Sequence, residues 1–162
     1  MSNSPKVILM IESSRASGRA LLRGIADYSH QRGSWSFSWE PGGLEKAWPM
    51  LQHSDAKGVI LRDVDKVREV LAYGLPTVVI GHQQGAIRGV VNVVTDSAAI
   101  GRMAAEHLLG CGFKRFAYCG YARTPLENAH WSEVRRKSFS AQIKSAGYPA
   151  PRSFNLAMDT RV

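Results

Sequence analysis

Strands alternating with helices along nearly the whole chain predict an α/β protein with parallel, doubly wound sheets in two lobes. Three observations carry the prediction. Short runs rich in Val, Ile and Leu recur between segments of helical periodicity, the pattern of β-α-β units. The runs end in polar or glycine-containing loops. The pattern restarts after Asp96, which divides the chain into a lobe over residues 1–95 and a second over 96–162.

The elements follow in order. Lys6–Ile11 is rich in Val, Ile and Leu and reads as a buried strand. Ser17 to Gln31 reads as a helix, with Ala20, Leu21, Leu22, Ile25 and Tyr28 near helical spacing and Gly33 as its stop. Ser34–Trp39 alternates aromatics with serines, the period of a strand, and Pro41-Gly42-Gly43 breaks it. A short helix is expected from Leu44 to Gln52, a strand over Lys57–Leu61, a helix over Asp65–Tyr73, and strands over Pro76–Gly81 and Val90–Val94. Thr95 or Asp96 is placed to cap a helix that runs to Leu109 and closes at Gly110 and Gly112. A strand over Lys114–Cys119, a basic helix over Ala129–Ala146 and a strand starting at Phe154 complete the pattern. Met103, Leu108, Leu109, Phe139, Ile143 and Ala146 fall on buried helix faces by the same spacing. Two βα units and part of a strand are too few to cover and bound a second parallel sheet. The second lobe is therefore expected to be incomplete and the chain to be a fragment of a longer protein.

Composition narrows the function. The chain has 162 residues, 44% of them hydrophobic, enough for a substantial core. No apolar run approaches the roughly 18 residues needed to span a bilayer. The first residues lack the basic segment and apolar core of a signal peptide. A cytoplasmic protein without a membrane partner is expected. The two cysteines, Cys111 and Cys119, match no Cys-x-x-Cys spacing and read as small apolar residues, so neither metal nor cofactor is implied. The net charge is +8, but basic residues are spread along the chain with one knot at Arg135-Arg136-Lys137. That distribution favours a solvated basic surface over a nucleic-acid footprint. Nucleotide-binding glycine loops and a Gly-x-Ser-x-Gly elbow are absent, so no enzyme is expected.

Several segments carry a resemblance. "LLRGIADYSHQRG", "AKGVILRD", "LPTVVIG", "VVNVVTDSAAIGRMAAEHLLGCGFKRFAYCG" and "WSEVRRKSFSAQIKSAGY" resemble, in this order, the sensor domain of LacI/GalR-type bacterial transcription regulators. The run from Asp96 to Leu109, followed by Gly112-Phe-Lys-Arg-Phe-Ala, is the most specific part. Glu12-Ser-Ser-Arg-Ala-Ser-Gly18-Arg19, with the sensor beginning at once, resembles the xylose-responsive activators of the XylR type. The resemblance implies a periplasmic-binding-protein-like type I fold and a small sugar effector, such as xylose, held in a cleft between the lobes. It implies a homodimer, and DNA binding only through an AraC-type domain beyond residue 162. It also implies a hinge at Thr95 and Asp96 and a ligand-facing arginine at Arg135, although Ser138 stands where the family has glycine.

Open α/β sheets bind ligands at the carboxyl ends of their strands. Carboxylates accept hydrogen bonds from sugar hydroxyls and arginines donate them. The residues so placed are Glu12, Ser13 and Arg15 after the first strand, Arg62 and Asp63 after the third, His82 after the fourth, and Tyr121 in the second lobe. Trp131, one turn before Arg135, presents a ring suited to a sugar's apolar face. A plainer reading stands beside each. Ser13 and Ser14 suit a helix cap, Arg15 a solvated position and Arg19 a pairing with Asp27 or with a partner chain. Arg62-Asp63 suits a turn, His82 a loop, and Trp131 the core. The rival functions are a transport-type sugar-binding protein and a doubly wound enzyme.

Overall fold

The computed structural model describes residues 4–41, 44–53, 55–62, 67–81, 86–121 and 129–156. These form β1 (Lys6–Met10), α1 (Ala16–Arg32), β2 (Ser36–Trp39), α2 (Leu44–His53), β3 (Gly58–Arg62), α3 (Val67–Leu71), β4 (Thr77–Gly81), β5 (Val91–Val94), α4 (Ser97–Gly110), β6 (Ala117–Tyr121), α5 (His130–Ser145) and β7 (Arg152–Leu156). The chain folds into two compact units: the first holds β1 to β4 together with Ile87–Val93, and the second holds Ala86 and the chain from Val94 onward.

The first unit is built on a five-stranded sheet in the order β2-β1-β3-β4-β5. β1 pairs in parallel with both β2 and β3, with Ile8 opposite Ser38 and Val59, and β3 pairs in parallel with β4. This is a doubly wound order whose switch point lies between β1 and β3. β1 is central, which is why every residue from Val7 to Ile11 is apolar and buried. Ile8 and Met10 share one core with Val59 and Leu61 of β3, Val79 of β4, Ala47 and Leu51 of α2, and Val67 and Val70 of α3. Trp48 and Tyr73 meet edge to face at that core's margin, with ring centroids 5.3 Å apart.

The second unit has a two-stranded parallel sheet, β6 beside β7, with Cys119 opposite Phe154. Its core is Ala105 of α4 with Phe139 and Ile143 of α5, flanked by Leu108, Leu109, Phe116, Tyr118 and Tyr148. α4 and α5 end in the same device. The Gly112 and Phe113 amides donate to the Leu109 and Leu108 carbonyls, and the Gly147 and Tyr148 amides donate to those of Lys144 and Ile143. Both glycines have positive φ, +81° and +85°, as this cap requires.

The α4–α5 crossing depends on Gly101. A Cβ there would lie 2.5 Å from the Arg135 carbonyl oxygen and 3.0 Å from the Ser138 Cβ. The small residue that lets the two helices approach thus sits on α4, so a serine is tolerated at position 138.

Several expectations about the elements need correction, among them the start of β7, which lies at Arg152 and not at Phe154. Met103 is not core: its side chain is on the outer face of α4 and 63% exposed. Ala146 is exposed because it is the C-cap of α5 and no longer on its buried stripe. β6 begins at Ala117, not Lys114, because Gly112 and Phe113 complete the cap of α4 before the chain can extend.

Candidate functional site

In the first unit the polar groups gather at the switch point. β1 delivers Glu12 and β3 delivers Arg62. The Arg62 Nη1 lies 3.4 Å from Glu12 Oε1, and the Arg15 Nε lies 3.6 Å from the same oxygen. The Ser14 hydroxyl donates to Glu12 Oε2 at 3.3 Å. Arg62 also reaches the Ser17 hydroxyl at 3.4 Å. Its side chain is 15% exposed, against 71% for Arg15, so Arg62 is the fixed member of the pair and Arg15 the solvated one.

The loop carrying Glu12 is set by two residues. Gly18 is buried under the end of β1, where a Cβ would strike the Glu12 carbonyl, so α1 can start directly against that strand only with glycine here. Arg19 Nη1 donates to the carbonyls of Ser13 and Ser14, both at 2.8 Å. Arg19 therefore ties down the loop and does not pair with Asp27. Ser13 and Ser14 do not cap α1: its N-cap is Arg15, and no side chain accepts from the helix amides. Trp39, at the end of β2, donates its Nε1 to the Ile11 carbonyl at 2.9 Å and stays half-exposed beside the loop. An uncapped helix start, one carboxylate and two guanidiniums form a set of donors around a single strong acceptor. Such a set suits a neutral polyhydroxyl ligand better than an anion, which Glu12 would repel.

In the second unit the strand carboxyl end carries an aromatic and cationic cluster. Tyr121, closing β6, meets Trp131 on the first turn of α5 with ring centroids 5.8 Å apart. The Arg135 guanidinium carbon lies 4.6 Å from the Trp131 ring centroid. The Arg135 Nε is buried without a hydrogen-bond partner among the described residues. Ser132 holds the cluster in register. It is 1% exposed, its Oγ accepts from the Tyr121 amide at 3.0 Å, and its carbonyl accepts from the Tyr118 hydroxyl at 2.9 Å. Gly120 leaves room for this clasp, since a Cβ there would lie 2.6 Å from Ser132 Oγ.

The basic knot of the sequence separates into distinct roles. Arg135 covers Trp131, while Arg136 grips Glu133 with two 2.8 Å hydrogen bonds and Lys137 reaches it at 3.4 Å. The Arg136 hydrogen bond, helped by Lys137, lowers the Glu133 carboxyl to about 2 against an opposing effect of burial. The single Glu133 carboxylate thus offsets one of the three positive charges, chiefly that of Arg136, which weakens the knot as a nucleic-acid footprint.

The structure thus brings Glu12, Arg15 and Arg62 together in one unit, beside Ser13, whose carbonyl holds Arg19. It brings Tyr121, Trp131 and Arg135 together in the other. Asp63 and His82 lie outside the described residues. Asp96 caps α4 by accepting from the Ala99 amide at 2.8 Å, and with Thr95 it stands just past the passage into the second unit. Sequence reasoning missed Ser17, Trp39 and Ser132 as site residues. Trp39 was legible as the aromatic last residue of a strand; nothing local marks Ser17 or Ser132. Among the described residues no cluster of three or more His, Cys, Asp or Glu side chains is placed to hold a metal. Cys111 and Cys119 are free and exposed, with Cys111 Sγ 3.8 Å from His107 Nε2. No helix among the described residues is long and apolar enough to cross a membrane.

The strand order, the parallel pairing and the repeated βα pattern define a periplasmic-binding-protein-like type I fold. No family model matches the chain and no curated protein matches its sequence. Solved structures do match. The xylose-binding transcription activator xylR shares 19% identity at a TM-score of 0.72, over 95% of this chain and 39% of that one. A LacI family regulator from Enterococcus faecium with bound ribose shares 18% at 0.70, over 96% and 58%. A periplasmic binding protein/LacI regulator from Alkaliphilus metalliredigens complexed with D-xylulofuranose shares 15% at 0.67, over 94% and 56%. At these identities the likeness is one of fold, and the chain spans little more than half the length of the longest-matched of these neighbours.

Proposed function

We propose that the chain is the effector-sensing part of a bacterial transcription regulator. It binds a small sugar, a pentose such as xylose, through the groups at the carboxyl ends of its strands. A DNA-binding domain carried beyond residue 162, and a homodimeric arrangement, turn that binding into control of transcription. Residues 1–95 and 96–162 act as the two lobes, and Thr95 and Asp96 as the hinge on which the ligand shifts the balance of states. The observation that carries the reading is Glu12 bracketed by Arg15 and Arg62 at the switch point of β1 and β3. The Trp131–Arg135 pair supports it, since an aromatic face beside a guanidinium suits a sugar ring and its hydroxyls. The sugars bound by the fold neighbours agree in class.

A calorimetric panel of D-xylose, D-ribose, L-arabinose and D-glucose against the protein tests the reading. Saturable heat with one or more pentoses, lost in Glu12→Ala, is expected. Heat from no sugar, or heat unchanged by Glu12→Ala, overturns it. Reading the gene beyond codon 162 tests the regulator part: further βα units followed by helix-turn-helix patterns are expected, and a stop codon there contradicts it.

A further inference from the structure

The second unit carries another concave site, at the opposite end of its sheet from Tyr121. A groove of about 410 Å³ lies at the amino ends of β6 and β7, lined by Lys114, Arg115, Phe116, Ala117, Pro149, Ala150 and Arg152. Three of these residues are cationic, and none of the described lining residues is acidic.

Basic residues near helix carboxyl ends commonly answer the helix dipole. Here that duty is already discharged by backbone. The terminal carbonyls of α4 and α5 accept from the amides of Gly112 and Phe113, and of Gly147 and Tyr148. The Lys114, Arg115 and Arg152 side chains have no hydrogen-bond or ion-pair partner among the described residues, and all three residues are exposed. They are nevertheless held close to one another by backbone, because the Arg152 amide donates to the Phe116 carbonyl at 3.2 Å and Ala117 pairs with Arg152. The floor is firm: the Phe116 ring meets Tyr148 edge to face at 5.6 Å, and Tyr148 is locked by the cap of α5.

We propose that this groove is an anion site for a small phosphorylated molecule. The phosphate takes the two guanidinium forks and the lysine, and the rest of the molecule packs on Phe116 and Pro149. Guanidinium forks match phosphate oxygens in paired hydrogen bonds. The volume is that of a small-molecule pocket. A nucleic-acid backbone is the poorer occupant, because the three cations line one recess instead of forming a stripe.

The test is an NMR titration of the protein with glucose 6-phosphate and with inorganic pyrophosphate, with glucose and a duplex DNA as separate arms. Saturable shifts of the Lys114–Ala117 and Arg152 amides are expected with the phosphate compounds and not with glucose. Affinity should drop about tenfold or more in Arg115→Gln/Arg152→Gln. Both side chains are exposed, so an unchanged circular dichroism spectrum should confirm that the variant folds. The absence of saturation by about 10 mM overturns the proposal, as does equal binding by the variant. Duplex DNA shifting the same amides at lower concentration than either phosphate compound overturns it in favour of a nucleic-acid contact.

Discussion

The guanidinium of Arg135 lies over the ring of Trp131, 4.6 Å from its centroid, and leaves its own Nε buried without a partner among the described residues. The stacking offsets part of the cost of that unpaired donor.

The first prediction follows from this pair. Arg135→Ala is expected to weaken pentose binding by about tenfold or more, and Arg135→Lys to restore little of it, because an ammonium cannot keep the planar stack and the fork together. Calorimetry on the three proteins checks this. Equal affinities would remove Arg135 from the ligand site.

Gly101 supplies the second. Gly101→Ala drives a Cβ against the Arg135 carbonyl. A loss of about 1–3 kcal/mol in the unfolding free energy is expected, the usual cost of overpacking. Adding Ser138→Gly should recover the smaller part, since it relieves the 3.0 Å approach and leaves the 2.5 Å one. Urea melts of the single and double variants measure both.

Ser132 supplies the third. Ser132→Ala removes the acceptor of the Tyr121 amide and leaves a small void between β6 and α5. The expected cost is about 1–3 kcal/mol. The Tyr121 amide should also exchange with solvent markedly faster than those of Ala117 and Tyr118, which hydrogen exchange followed by NMR reads directly. Unchanged protection at Tyr121 would show that the clasp is not needed.

Glu133 makes the pH dependence predictable. Its folded carboxyl titrates near 2, below the ordinary value of 4.5, because Arg136 and Lys137 hold the charged form. The unfolded state therefore binds the proton first as pH falls. The stabilisation is complete above about pH 4.5 and is lost between there and about 2. Glu133→Gln should be less stable than the parent at pH 7, and the difference should shrink across that acid window. Urea midpoints measured at several pH values test the sign.

Much of the fold was legible along the chain. The apolar run at Val7–Ile11 reads as a strand buried on both faces, and β1 is central in the sheet. Asp96 before a helical pattern reads as a cap, and it caps. Gly112 and Gly147 after helical runs read as stops, and both adopt the positive φ of one. These signals are local: each depends on backbone sterics or hydrogen bonds within a few residues. Met103 was misread because helical spacing shows which residues share a face but not which neighbour covers it.

Sequence alone therefore determined the α/β alternation, the polar residues at the strand carboxyl ends, and the candidate list Glu12, Arg15, Arg62, Tyr121, Trp131 and Arg135. Tertiary structure decided how those residues combine. Arg62 reaches Glu12 across fifty positions only because β3 pairs with β1. Ser132 matters only because β6 ends beneath α5, and Ser138 is tolerated only because Gly101 faces it from another helix. Periodicity records what each residue needs from its own turn or strand, whereas a partner distant in sequence is selected by strand order and helix crossing.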